Sequence, residues 1–383
     1  MNNQSGNKKP KIFYIENLRI ILSALVVVVH VACTYGGPGG WSYTESGADF
    51  WSVLPLTILN ATSQSFFMGM FFLFGAYFTH LSFQKKGAMI FVKDRFFRLG
   101  IPLAITYYLI SPFTSWIVWG IRYPEQADIS FIELWMTKNR FGVGVMWFAE
   151  ALIYFSILYM IARLFIPWLR KTEKLNLPMI KSIHILIASI LLGLVTFLAR
   201  FEFPLFTGSH GTNFNLAHFP QYIFLFILGI MGARYRFDEL ITLNQAKKWM
   251  WAAAGMVFIG FPLVFFFGGA QGGDLSPYFG GATWQSLGFS MWEQMTGIFI
   301  MAALIGFFRT KWNHQSKMDS NLSGAAYALY VFHPPIIVWV CLQFRNWEAM
   351  HLVKFLTITP IALLASYLVA LLIKRVPILN KIY

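Results

Sequence analysis

The chain has 383 residues, of which 57% are hydrophobic, 18% aromatic and 12% charged. An ordinary soluble enzyme carries about twice that charged fraction, and a soluble core has no room for 40 Phe, 14 Trp and 16 Met, so the composition is that of a chain living in lipid. The formal net charge of +14 would admit a nucleic-acid partner, but the basic residues lie in loops between apolar runs, where they read as topology signals at an anionic membrane surface; no nucleic-acid partner is expected.

A window of about 19 residues picks out ten apolar spans, near 12–33, 60–82, 99–120, 143–166, 182–200, 217–233, 249–268, 289–308, 322–343 and 352–373. The predicted fold is an all-α integral membrane protein of about ten transmembrane helices, a single domain over 1–383 preceded by a short basic segment, 1–11. With loops assigned alternately, 22 of the 30 Lys and Arg fall on one side, 6 on the other, and Arg19 and Arg163 lie inside spans. That asymmetry predicts both termini in the cytoplasm. A cleaved signal peptide competes for the first span, because Val31-Ala32-Cys33 resembles a lipoprotein cleavage site. His30 stands where such a site wants an aliphatic residue, however, and the run is long enough to span.

Taken in chain order, the first span already carries chemistry, since ionisable groups inside lipid are expensive. Arg19 and His30 are eleven residues apart, so on a helix they share one face, roughly 16 Å apart in height. Glu16 is the bland partner for the guanidinium, and His30 alone would read equally well as a structural histidine. Cys33, like Cys341, is expected to be a packing residue. The loop Tyr35–Tyr43 (YGGPGGWSY), like Gly268–Trp284 further on, is rich in Gly and aromatics; interfacial anchoring is its ordinary reading, gripping a sugar the functional one. The cluster Lys93-Asp94-Arg95-Phe96-Phe97-Arg98 opens the third span, and Arg95 with Arg98 on one face is either a positive-inside flank or a fork for a phosphorylated ligand. Interruptions at Pro102, Pro112 and Pro262 leave those spans least regular. Glu150 in the fourth span is a carboxylate at a depth comparable to His30, whereas Glu293 reads as an interface residue and His218 as a solvated one. In the ninth span Tyr327, Tyr330 and His333 form a polar stripe at spacings of three, expected to hydrogen bond around a channel. HExxH, GxSxG, Walker and paired-cysteine motifs are lacking, so no metal is expected.

Arg19-x10-His30 in a first span, with Arg95-Phe-Phe-Arg98 followed by Leu99-Gly100-Ile101-Pro102, resembles the two signature motifs of the acyltransferase 3 family of multi-pass membrane O-acyltransferases. Phe71-Phe72-Leu73-Phe74-Gly75, Trp147-Phe148-Ala149-Glu150, Tyr222–Gly229 and Tyr327-Ala-Leu-Tyr330-Val-Phe-His333-Pro334 are similar to that family's helices in the same order, with Phe74 standing where a Ser is common. The resemblance implies transfer of an acyl group, acetyl foremost and succinyl next, from cytoplasmic acyl-CoA to a hydroxyl of an extracytoplasmic carbohydrate or related acceptor, in the inner membrane and without a metal. On that reading His30 is the general base and Glu150 orients it. Arg19, Arg95 and Arg98 hold the CoA phosphates, and Trp147, Tyr330 and His333 bind substrate. With no appended extracytoplasmic domain expected, the chain either completes transfer in its membrane core or passes the acyl group to an extracytoplasmic partner protein. The rival from another class is a secondary transporter using Arg19, His30 and Glu150 as its pathway, which a pair of symmetric broken helices would favour; none is visible.

Overall fold

The computed structural model describes residues 12–138, 142–170, 180–206, 214–235 and 241–382. The basic segment 1–11 therefore lies outside the described residues, as do Arg140, Lys171, Lys174, His210 and Arg236. Among the described residues there is no strand, and nine stretches are long and apolar enough to cross a membrane.

One of the nine, Phe50–Arg122, runs for 73 residues, about 110 Å if it were straight, far more than a bilayer's hydrocarbon core. It is folded back on itself. Helix α2 (Phe50–Gln64) bends at Phe66 into α3 (Phe67–Arg95), and inside α3 Gly87 adopts φ 73°, ψ 174°, a conformation open to glycine and costly for other residues. The reversal brings Lys86 within 2.7 Å of Asp94, and the Arg95 guanidinium donates to Thr79 Oγ1 at 2.8 Å. Sixteen residues of straight helix would hold that last pair about 24 Å apart. The expected spans 60–82 and 99–120 thus both lie in this run, on either side of the Gly87 reversal. The first is broken at Phe66 rather than continuous, and its helix starts earlier, at Phe50, capped by the Asp49 carboxylate on the Ser52 N–H.

Beyond the reversal, α4 (96–122) contains two wide π-helical turns, Phe96–Gly100 and Thr106–Ile110, and α8 (Leu243–Phe267) contains a third, Met256–Gly260. Each precedes one of the three prolines by a few residues. A proline ring collides with the carbonyl four positions earlier, and for Pro102, Pro112 and Pro262 those positions, Arg98, Tyr108 and Phe258, all fall inside the wide turns. The helices stay continuous because the ladder widens instead of breaking.

The remaining long helices are α1 (Phe13–Thr34), α5 (Trp147–Phe165), α6 (Ser182–Glu202), α7 (Phe219–Tyr235), α9 (Trp284–Lys311), α10 (Lys317–Gln343) and α11 (His351–Arg375). α1, α9 and α10 are the most enclosed, while α6, α8 and α11 expose apolar faces such as Leu191, Leu198, Phe258, Phe266, Leu364 and Leu372, as lipid-facing helices do. α3 packs on α7, α9 on α6 and α8, and α10 on α1 and α11. Small residues allow the closest approaches: Gly229 of α7 lies against the Leu73 carbonyl, and Gly297 of α9 against the Ser65 carbonyl. Two apolar clusters result. One is centred on α1, α3, α5, α7 and α9; the other joins the His30 end of α1 to α10 and α11.

Candidate active site

Pro334 has no N–H, so the Tyr330 carbonyl four residues earlier loses its helical donor. The His333 imidazole replaces it, with Nδ1 2.8 Å from Tyr330 O and 3.3 Å from Leu329 O. Carbonyls only accept, so Nδ1 carries the proton, and in a neutral ring Nε2 is then an acceptor. That Nε2 lies 3.2 Å from His30 Nδ1. The network accordingly assigns a proton to His30 Nδ1 and leaves His30 Nε2 with a bare lone pair.

The other face of this pair is covered by Trp41, which stacks on His30 at 4.1 Å between ring centroids and runs within 3° of parallel to His333. Its position follows from the glycine-rich loop. Gly36 at φ 112° and Gly39 at φ 150° let the chain turn back, so that the Gly37 N–H reaches Ala32 O and the Glu45 N–H reaches Thr34 O. Lys354 Nζ then holds Glu45 at 2.6 Å, both side chains nearly enclosed. Trp41 thus serves as an imidazole platform as well as a loop aromatic.

His30 opens onto a cavity of about 350 Å³. Pro38, Gly39 and Gly40 from one expected outer loop and Leu275, Tyr278 and Phe279 from the other help to close it, with Asn60 and Gln64 from α2. The same cavity has a polar wall that the spacing of motifs does not reveal. Glu293 of α9 is 2% exposed and accepts from Arg200 of α6 at 2.5 Å; its other oxygen lies 3.1 Å from His218 Nδ1. Arg200, fully buried, also donates to Ser290 Oγ at 2.9 Å, and Gln294 adds a further bond to Glu293. The carboxylate is thereby neutralised and satisfied inside the bundle. Beside it, Tyr222 accepts from Gln64 Nε2 at 3.0 Å.

The residues singled out from sequence divide accordingly. His30, Trp147 and Tyr330 line the cavity, the Tyr330 hydroxyl donating to Val145 O, while His333 is buried behind His30. Glu150 does not line it and does not orient His30: its Oε1 accepts from Tyr154 at 3.3 Å, one turn along α5. The group at His30 Nδ1 is an imidazole, so the orienting role expected of Glu150 needs correction. So does the plain interface role expected of Glu293. Arg19 pairs with Glu16 at 3.0 Å, about a third of each side chain exposed. Arg95 turns inward to Thr79 and stacks over Phe91 at 5.0 Å, whereas Arg98 is 63% exposed, 3.7 Å from Asp94. The Gly87 reversal thus gives the two guanidiniums different partners, and the single fork expected from their spacing is not formed. All three arginines lie away from the cavity. Cys33 and Cys341 are free and buried, and among the described residues no group of three or more metal-ligating side chains converges.

A family model described as an acyltransferase domain, of the acyltransferase 3 type, matches residues 12–375. The chain belongs to the acyltransferase 3 family. It is similar to the glucans biosynthesis protein C of Escherichia coli O17:K52:H18 (strain UMN026 / ExPEC), 21% identical over 334 residues that cover 85% of this chain and 82% of the relative. No solved structure matches it. This acyltransferase 3 chain is therefore a multi-pass membrane acyltransferase, and the transporter reading loses its support.

Proposed function

We propose that this acyltransferase moves an acyl group, acetyl foremost and succinyl next, from cytoplasmic acyl-CoA to a hydroxyl of an extracytoplasmic carbohydrate or related acceptor, in the inner membrane with both termini in the cytoplasm. The observation that carries the reading is the His30–His333 pair, which leaves His30 Nε2 as an unprotonated nitrogen on the wall of a loop-capped cavity. The acceptor O–H gives its proton to that nitrogen while its oxygen attacks the thioester carbonyl. The C–S bond then breaks, and the departing thiolate takes the proton back from the imidazolium. Trp41, stacked on the ring, favours the cationic intermediate state of His30.

Arg19 stands eleven residues from His30 on α1, roughly 16 Å along the axis, a separation comparable to an extended pantetheine arm. Of the three arginines, Arg98 fits an exposed phosphate contact, Arg19 is half-available beside Glu16, and Arg95 braces the Gly87 hairpin that carries Arg98. The relative's name, a glucan biosynthesis protein, favours a sugar hydroxyl as acceptor. Transfer inside the cavity needs no partner protein to receive the acyl group, and lipid contacts the outer faces. The test is acyl-CoA turnover by the purified protein in nanodiscs. His30→Ala should abolish turnover while elution stays monodisperse, and a variant as active as wild type would overturn the assignment of the base.

A further inference from the structure

In the polar wall of the His30 cavity the charges are spent on each other, yet the wall presents one bare acceptor and one free donor. His218 Nδ1 faces Glu293 Oε1 at 3.1 Å, and a carboxylate flanked by Arg200 and Gln294 only accepts there, so Nδ1 carries the proton and His218 Nε2 keeps its lone pair. Four residues on, Tyr222 accepts from Gln64 Nε2 at 3.0 Å, so its own O–H is left to donate. Histidine and tyrosine sit one turn apart on the same helical segment, ring centroids 6.2 Å apart, and both line the cavity. Near them Phe265 and Tyr278, stacked at 4.6 Å and 7° and also lining the cavity, offer a flat apolar surface.

We infer that His218 and Tyr222 form an acceptor-binding subsite for two neighbouring hydroxyls of an uncharged polyol, a vicinal pair on the same ring as the hydroxyl acylated at His30. This rests on the acyltransferase reading above. Each hydroxyl both donates and accepts, so a vicinal pair satisfies the lone pair of His218 Nε2 and the proton of Tyr222 together. A cation gains nothing, because Arg200 already neutralises Glu293, and an anion meets the bare nitrogen and the carboxylate behind it. A volume of about 350 Å³ is at the low end of ligand pockets, about 300–1,000 Å³, so one ring enters and the remainder of a longer acceptor stays outside. Glu293 and Arg200 are positioning residues: they hold the His218 tautomer and do not touch the acceptor.

The test compares acylation of methyl glucoside, galactoside and mannoside with their monodeoxy analogues, using wild type, His218→Asn and Tyr222→Phe in nanodiscs with acetyl-CoA and succinyl-CoA. A site built to bond a hydroxyl rejects the analogue that lacks it, here by roughly ten- to hundredfold in kcat/KM. Wild type should show that discrimination for at least one deoxy position. Each variant should lose it while the KM for acyl-CoA stays unchanged. General damage lowers the parent sugar and its deoxy analogue alike and leaves their ratio intact, so a variant that retains the full ratio overturns the subsite. Tyr222→Phe loses one oxygen only, which keeps the experiment decisive if His218→Asn does not fold. Acyl-CoA hydrolysis without acylation of any glycoside would also overturn it; no turnover of acyl-CoA at all would instead sink the acyltransfer reading on which it rests.

Discussion

His333 has no contact with the cavity, yet it determines which nitrogen of His30 is free, because Pro334 strips the Tyr330 carbonyl of its partner and the imidazole takes its place. Replacing it with Ala removes the imidazole that faces His30 Nδ1, leaving His30 only its backbone bond to Val26, and should reduce kcat by about a hundredfold, in line with the usual worth of a positioned acid–base group. His333→Gln sets an amide oxygen where Nε2 was and should recover most of that loss. Equal rates for the two variants would show that His333 only fills space. At this scale spacing along single helices brought out His30 on one and the Tyr330–His333 stripe on another, but not that the two meet or that Trp41 covers them. It could not reveal the Glu293–His218–Arg200 wall, whose members lie in three different helical segments. The one available signal was two lone opposite charges, Arg200 and Glu293, at the same end of their spans, an arrangement that spacing within one helix never exposes.

Among the elements, the tightest joints are made by glycine. A Cβ on Gly229 would run into the Leu73 carbonyl and Ala76 Cβ, and one on Gly297 into the Ser65 carbonyl. Gly229→Ala and Gly297→Ala should each destabilise the fold by about 2 kcal/mol, the ordinary cost of overpacking. Gly255→Ala in α8, with open space around the new methyl, should be neutral or stabilising by up to about 1 kcal/mol. Thermal unfolding in detergent distinguishes them, and equal shifts for all three would refute the packing argument. The 35–49 loop depends on a different joint. Glu45→Ala leaves the Lys354 ammonium enclosed without its anion, with only the Arg345 carbonyl at 3.5 Å and 6% of that side chain exposed, and should cost about 3 kcal/mol. Hydrogen exchange across 36–47 should rise and turnover fall with it, since the same loop delivers Trp41 to His30. Unchanged exchange would show the pair to be dispensable. Helix positions were largely legible from hydropathy, as nearly every expected span coincides with a helix. That the chain turns back between the second and third spans was legible too; that it does so at Gly87 inside a helical run was not, because the glycine sits among Lys85, Lys86, Ala88 and Met89 and only its tertiary contacts require the turn there.

Across the whole molecule, the Arg19-bearing and His30-bearing ends of α1 divide the proposed labour: phosphate contacts at one, proton transfer at the other, with the acceptor admitted under two glycine-rich loops. The fold class followed from composition and hydropathy, because lipid forces every span to satisfy its backbone internally. The cavity did not, being assembled from α1, α2, α3, α5, α7, α8, α9, α10 and their loops. The most direct measurement is acyl transfer from acyl-CoA by the protein in nanodiscs, wild type beside His30→Ala and Arg98→Ala. The account predicts turnover in wild type, none above background for His30→Ala with acyl-CoA still bound, and a raised KM for acyl-CoA in Arg98→Ala with kcat kept within about threefold, the pattern expected for lost ground-state binding. Full turnover by well-folded His30→Ala protein would contradict it.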